Sequence, residues 1–157
     1  MAAKQYWLLK SEPENYSFAQ LKKDGETGWT GVRNYQARNF MRDSMKVGDG
    51  VLFYHSNADP AAIVGAAEVS REGHPDPTQF DPKSDYYDAK SKPDAPTWIM
   101  AAIRYVGEFK QPLSLDELRK VAGLEKMMLL KRGMRLSIQP VTAEEWKIIL
   151  KLGKPQP

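Results

Sequence analysis

Gly48-Asp49-Gly50-Val51-Leu52-Phe53-Tyr54-His55-Ser56-Asn57-Ala58-Asp59-Pro60, followed by Ile63 to Val69, is the stretch that decides the fold class. Gly48-Asp49-Gly50 is a turn, and Val51 to His55 is apolar and aromatic enough to read as a strand. Ser56 to Pro60 is a loop of turn formers, and Ile63 to Val69 is a second strand. Strand follows strand across a short loop, so strict βα alternation is absent.

Upstream, Tyr6-Trp7-Leu8-Leu9 reads as a short buried strand stopped by Pro13. Ser17 and Gln20 fit a capping box, predicting a helix from Phe18 to about Lys23 that ends near Gly25. Asn34 can cap a helix over Tyr35 to Ser44, with Ala37, Phe40 and Met41 toward the core. Downstream, residues 73–96 hold Pro75, Pro77, Pro82, Pro93 and Pro96 and read as an irregular excursion with a helical turn near Ser84–Ala89. A loop this long in a compact domain is usually functional or a lid. Trp98 to Val106 is a long strand.

Ser114 and Glu117 form a second capping box, opening a helix to about Val121; Gly123 separates it from a helical run over Leu124 to Lys131. Leu136 to Val141 is a strand near an edge, because Pro140 cannot donate to a ladder. Thr142 and Glu145 make a third box, whose helix buries Trp146, Ile149 and Leu150 and stops at Gly153. The tail Gly153–Pro157 is expected to fray. Five or six strands and four or five short helices argue for an α+β fold on a mixed or mostly antiparallel sheet, open to curling into a barrel.

The 157 residues suit one domain, 1–157, with a core over about 5–152. With 41% apolar and 27% charged residues the chain can bury a core, which argues against disorder. Absence of cysteine excludes disulfides, thiol catalysis and Cys-based zinc sites, and fits the cytoplasm. No apolar run approaches the roughly 20 residues that span a bilayer, so no membrane partner is expected.

The net charge of +3 is small, but its distribution is uneven. Arg119, Lys120, Lys126, Lys131, Arg132 and Arg135 face one acid, Glu125. Arg33, Arg38, Arg42 and Lys46 are opposed only by Asp43. Two such clusters suit an anionic ligand; the plainer alternative is a pair of solvated faces.

Catalytic and metal motifs are missing. His55 and His74 are the only imidazoles, and His55 cannot pair with Ser56 because strand neighbours point to opposite faces. No nucleophile elbow, His-x-x-x-His, EF-hand loop or phosphate-cradling glycine loop occurs. No catalytic residue, metal or cofactor is assigned. The segment Trp29 to Arg38 instead gathers Trp29, Tyr35, Arg33, Arg38, Asn34 and Gly31. Aromatic faces stack on bases, Asn reads a base edge, and Arg grips phosphate in a fork. The plainer reading makes Trp29 core, Asn34 a cap and the arginines solvated.

Tyr6-Trp7-Leu8-Leu9-Lys10-Ser11-Glu12-Pro13, Trp29 through Asn39, Gly48-Asp49 with Phe53-Tyr54-His55-Ser56-Asn57, and Arg135-Leu136-Ser137-Ile138-Gln139-Pro140 are four blocks that resemble the EVE domain family. The resemblance implies a PUA-like fold: a curled, mostly antiparallel β-barrel of five to six strands with short peripheral helices. Relatives of that fold include the PUA, YTH, ASCH and SRA domains, several of which bind RNA or take a modified base into a pocket. The implied function is non-catalytic recognition of a modified base in RNA or DNA.

Carried onto this chain, the family's pocket falls on Lys10, Ser11, Trp29, Val32, Arg33, Asn34, Tyr54, His55, Ser56, Arg135 and Ser137. Arg38 and Trp98 join it as neighbours. Trp29 is expected to stack the base with Tyr54 or Trp98, and Asn34 and Ser11 to read its edge. Lys10, Arg33 and Arg135 hold phosphate, and His55 serves either purpose or is a core imidazole. Two alternatives stand beside this: an enzyme acting on nucleic acid or nucleotides through Glu12 or His55, and a module for a small anion. A monomer is the working expectation.

Overall fold

The computed structural model describes residues 4–157. In chain order the elements are β1 (Tyr6–Ser11), α1 (Phe18–Asp24), β2 (Glu26–Gly28), α2 (Tyr35–Asn39), β3 (Gly50–His55), β4 (Ala62–Pro75), β5 (Ile99–Ser114), α3 (Leu115–Leu118), β6 (Ile138–Val141), α4 (Ala143–Gly153) and β7 (Pro155–Gln156). The strands form one sheet in the order β2-β5-β4-β3-β1-β6, with β7 on β5. Among the described residues only β1 and β3 run parallel, and every other strand pair is antiparallel.

The α+β class and the mostly antiparallel sheet agree with the sequence reading; the closed barrel does not. The sheet is open, with seven strands rather than five or six. Its terminal strands are β2, three residues long, and β6, four residues with Pro140 among them. Closure needs those two to pair, and each bonds only to its inner neighbour.

Strand alternation sorts the core into two layers. Trp7, Leu9, Val51, Phe53, Ala67 and Val69 enter one cluster with Phe18 and Leu21 of α1. Leu8, Leu52, Tyr54, Ile63 and Ala66 enter the other with Leu118 of α3 and Ile149 of α4. Both faces of β1 and β3 are therefore covered, which is why those strands are continuously apolar. α4 approaches closely: a Cβ on Gly50 would lie 2.6 Å from the Trp146 ring, which itself stacks on Tyr6 at 4.7 Å. At the base of β3 the buried Asp49 carboxylate accepts from Gln5 N, Trp7 Nε1 and Lys46 N at 2.9–3.1 Å.

All three capping residues sit at helix starts, and the reciprocal boxes form at Ser114–Glu117 and Thr142–Glu145. Other expectations are corrected. β4 runs on to Pro75 and β5 to Ser114, because each supplies the other's ladder. The helix expected through Ser44 is α-helical to Asn39 and continues as a π turn over Phe40–Ser44. The run Leu124–Lys131 is a series of tight turns with a 3-10 turn at Met128–Leu130. Ser84–Ala89 forms turns without a helix, and the tail pairs as β7 instead of fraying.

Candidate functional site

The unclosed sheet leaves a gap, and a cleft of about 920 Å³ occupies it. Both terminal strands contribute: Thr27 and Gly28 from β2, and Met134, Arg135 and Ser137 from the approach to β6. Lys10 and Ser11 at the end of β1, and Ser56 and Asn57 just past β3, form the floor's polar side. Glu12, Asn15 and Tyr16, with Trp29 to Arg33 and Tyr86, complete the lining.

Trp29 is fixed by its surroundings. Its backbone N–H donates to Ala101 O at 2.7 Å, and its ring meets Phe53 and Tyr16 edge-on at 5.6 and 6.4 Å. An aromatic plane that is 8% exposed yet lines a cleft is a wall that other groups can contact with little reorganisation. Beneath it Ser11 Oγ donates to Tyr16 O at 2.6 Å. Ser56 N donates to Ser11 O at 3.0 Å, tying the ends of β1 and β3 together. Asn57 adopts φ +50° and its Nδ2 donates to Glu12 Oε1 at 2.6 Å, while Asn15 Nδ2 donates to the other Glu12 oxygen at 3.3 Å.

Lys10 donates Nζ to Met134 O at 3.1 Å and lies 6.0 Å from the Tyr54 ring. Partial burial lowers its pKa from the ordinary lysine value. Arg135 is exposed.

Arg33 behaves differently from the phosphate ligand expected. Nε donates to Tyr86 O, one terminal nitrogen to Val32 O and Asp76 Oδ2, and the other to Thr78 Oγ1 and Tyr86 O, at 2.7–3.2 Å. Those five bonds match the five N–H groups of a guanidinium. The plane is also held between Tyr86 and Trp98, at 5.6 and 5.1 Å from their centroids. Its ion-pair partner Asp76 is fully buried and also accepts from Gly31 N at 2.8 Å and from the backbone and hydroxyl of Thr78. Burial alone would raise the Asp76 pKa, but the bonds from Thr78, Gly31 and Arg33 outweigh it and hold it below the usual carboxylate range. Arg33 is thus the knot that fastens residues 76–86 to the cleft.

Of the thirteen residues anticipated, Lys10, Ser11, Trp29, Val32, Arg33, Ser56, Arg135 and Ser137 line the cleft. The other five lie outside its lining. Asn34 caps α2, its Oδ1 accepting from Ala37 N at 3.0 Å. Arg38 donates to Thr97 O and Asn39 Oδ1. Tyr54 is in the second core layer. His55 accepts from Phe18 N through Nε2 at 3.0 Å, and burial lowers its pKa, so it is neutral near pH 7. Trp98 is buried, donates to Asp88 Oδ2 at 2.8 Å and stacks on Tyr35.

Sequence reasoning missed Tyr16, Tyr86 and Asp76, while Asn57 stood in one of the four blocks without a role. Asp76-Pro77-Thr78 carries a local cap signature, since Asp76 accepts from Thr78 N. Nothing local points to Arg33, 43 positions away. Among the described residues no group of three or more His, Asp or Glu is placed to hold a metal ion. Among the same residues no helix is long and apolar enough to cross a membrane.

The EVE domain family model matches residues 5–152. The chain belongs to the EVE domain family. It is similar to thymocyte nuclear protein 1 of Gallus gallus, 42% identical over 171 residues that cover 97% of this chain and 70% of that protein. Among solved structures this EVE domain is similar to a Pseudomonas putida protein, with 46% identity, a TM-score of 0.89, and 94% and 98% of the two chains covered. It is also similar to human THYN1 solved in complex with DNA containing 5-methylcytosine, with 40% identity, a TM-score of 0.88, and 98% and 100% covered.

Proposed function

We propose that this chain binds nucleic acid without chemistry, taking one modified base of RNA or DNA into the cleft between the two ends of its open sheet. The observation that carries this is the cleft itself, about 920 Å³ with Trp29 and Tyr16 on one wall and Lys10 and Arg135 among its cations. That volume falls within the range of sites that enclose small ligands. The human relative solved with 5-methylcytosine DNA supports the ligand class.

In this reading Trp29 stacks the base, and Ser11 and Asn57 present hydroxyl and amide groups to its edge. Arg33 is reassigned from phosphate to the upkeep of the wall at Tyr86. Asn34, Arg38, Tyr54, His55 and Trp98 act from behind the lining, by holding the elements that carry it. The cleft's carboxylate, Glu12, is bonded to two asparagines, an arrangement that favours a positioning role over acid–base work. A PUA-like lineage, a monomeric state and a cytoplasmic setting belong to the same proposal; the vertebrate relatives carry the word nuclear in their name.

The test is a fluorescence anisotropy titration against matched oligonucleotides bearing cytosine or 5-methylcytosine, single-stranded and duplex. Preference for one modified form is the expected result, and no binding to any of them at low salt removes nucleic acid as the ligand. Trp29→Ala should cost about 1–3 kcal/mol of affinity with the fold intact. Unchanged affinity removes Trp29 from the site.

A further inference from the structure

Phosphates arriving with a base need cations, and those of the cleft are largely committed. Arg33 has its five N–H groups on protein acceptors. Lys10 is partly desolvated and bonded to Met134 O. The other basic cluster read from the sequence is neutralised within the fold: Arg33 pairs with Asp76, Arg42 with Asp43 and Lys46 with Glu72. Arg38 is turned onto Thr97 O and Asn39.

The cluster at 119–135 is the opposite case. Arg119, Lys120, Lys126, Lys131, Arg132 and Arg135 are all exposed. None of them enters an ion pair among the described residues, whose pairs involve Lys22, Arg33, Arg42, Lys46 and Arg104, although Arg119 donates one N–H to Leu130 O at 3.1 Å. The acid in their midst, Glu125, is folded back on Gly123 N through both oxygens. The backbone beneath them is anchored, because Leu118, Leu124, Met127 and Leu129 are buried in the second core layer. Its C-terminal end runs into the cleft, where Met134 and Arg135 are lining residues.

We propose that residues 119–135 are a track for the phosphodiester backbone flanking the base that enters the cleft; this rests on the nucleic-acid reading above. Turns pinned by apolar residues hold the backbone that carries the cations, so little backbone order has to be created on binding. Unpaired exposed cations release condensed counterions from nucleic acid, which makes binding salt-dependent and indifferent to sequence. The track supplies affinity and register, and the cleft supplies choice of base.

The test compares the full-length chain with its Lys131→Ala/Arg132→Ala and Trp29→Ala variants. Each is titrated with fluorescein-labelled duplexes with and without 5-methylcytosine, from about 50 to 200 mM salt. The double variant should weaken binding to both duplexes alike and flatten the plot of log K against log salt by about 0.9 for each phosphate no longer neutralised. An unchanged slope in a variant that stays folded by circular dichroism overturns the track and leaves the base pocket standing. A flattened slope with no wild-type preference between the duplexes keeps the track and sinks the pocket. No wild-type binding at all overturns both. Displacement by poly-glutamate at concentrations as low as unlabelled duplex overturns nucleic acid as the occupant in favour of an acidic protein.

Discussion

At the scale of single residues the site depends on contacts that bring distant positions together. Gly31 is the sharpest case. Its φ of +81° lies where L side chains are strained, and a Cβ there would stand 2.7 Å from the Tyr86 ring. The same residue's N–H donates to Asp76. Gly31→Ala therefore meets backbone strain and a displaced Tyr86 at once, and should destabilise the fold by about 1–3 kcal/mol. Thermal denaturation with matched oligonucleotide titration checks it. A melting temperature equal to wild type would mean that Tyr86 moves aside freely and is no fixed part of the wall. Arg33 teaches a related lesson. Its type and its neighbours Trp29 and Asn34 suited a phosphate ligand, and that much was legible. Its five bonds depend on Val32, Asp76, Thr78 and Tyr86, three of them more than 40 positions away, and no local pattern announces such a partner.

At the scale of elements, the excursion from Asp76 to Thr97 is tied to the cleft by Arg33 and is centred on the buried Gln79 side chain. Gln79 Nε2 donates to Asp76 O and Trp98 O at 2.7 and 2.8 Å, and its Oε1 accepts from Ser91 Oγ and Trp98 N at 2.5 and 2.9 Å. A segment with little regular secondary structure thus gains a centre, and both its ends are fastened to that centre. Gln79→Leu keeps much of the volume but leaves Trp98 N and the Ser91 hydroxyl without an acceptor, while Trp98 O keeps Asp76 N and Asp76 O keeps Gln79 N, at about 1–3 kcal/mol for each buried donor that stays unsatisfied. The loss should be local: hydrogen exchange and proteolysis should rise over residues 80–97 while β1 and β3 stay protected. Uniform loosening of the whole chain would show that the segment is part of the main cooperative unit. The same scale separates what the sequence made legible from what it did not. Ser17, Ser114 and Thr142 were readable as caps because a cap is a contact over three residues. The continuation of β4 to Pro75 and the pairing of Pro155–Gln156 were not, since each is decided by a partner in β5. Leu124–Lys131 had helical spacing of its apolar residues, yet burying Leu124, Met127 and Leu129 over so short a run is achieved by turns.

At the scale of the whole molecule, the half-buried His55 and the buried Asp76 link stability to pH in the same direction but in different windows. Burial holds the His55 pKa below its ordinary value near 6.5 while Nε2 accepts from Phe18 N. Below about pH 6.5 the unfolded chain takes up that proton before the native one does. Stability is then lost as pH falls, at no more than about 1.4 kcal/mol per pH unit for one proton. Protonation also turns the acceptor into a donor facing an N–H, so the tie between β3 and the start of α1 is the contact that fails. Asp76, held low by its donors, acts later: its contribution is complete above about pH 3.9 and disappears as pH falls through its depressed native value. The surface carboxylates Asp43, Asp88 and Glu125 are lowered too and add a screened share in that acid window. Urea denaturation followed from pH 7 to pH 3 should therefore show a shallow decline beginning below about 6.5 and a steeper one below about 4. His55→Gln should lower stability at pH 7 by weakening the Phe18 contact, and should flatten the first decline while leaving the second. Asp76→Asn should do the reverse, and should also release Arg33, so its effect on oligonucleotide affinity at pH 7 reads the coupling between the knot and the cleft. A first decline that survives His55→Gln would leave His55 with only its hydrogen bond.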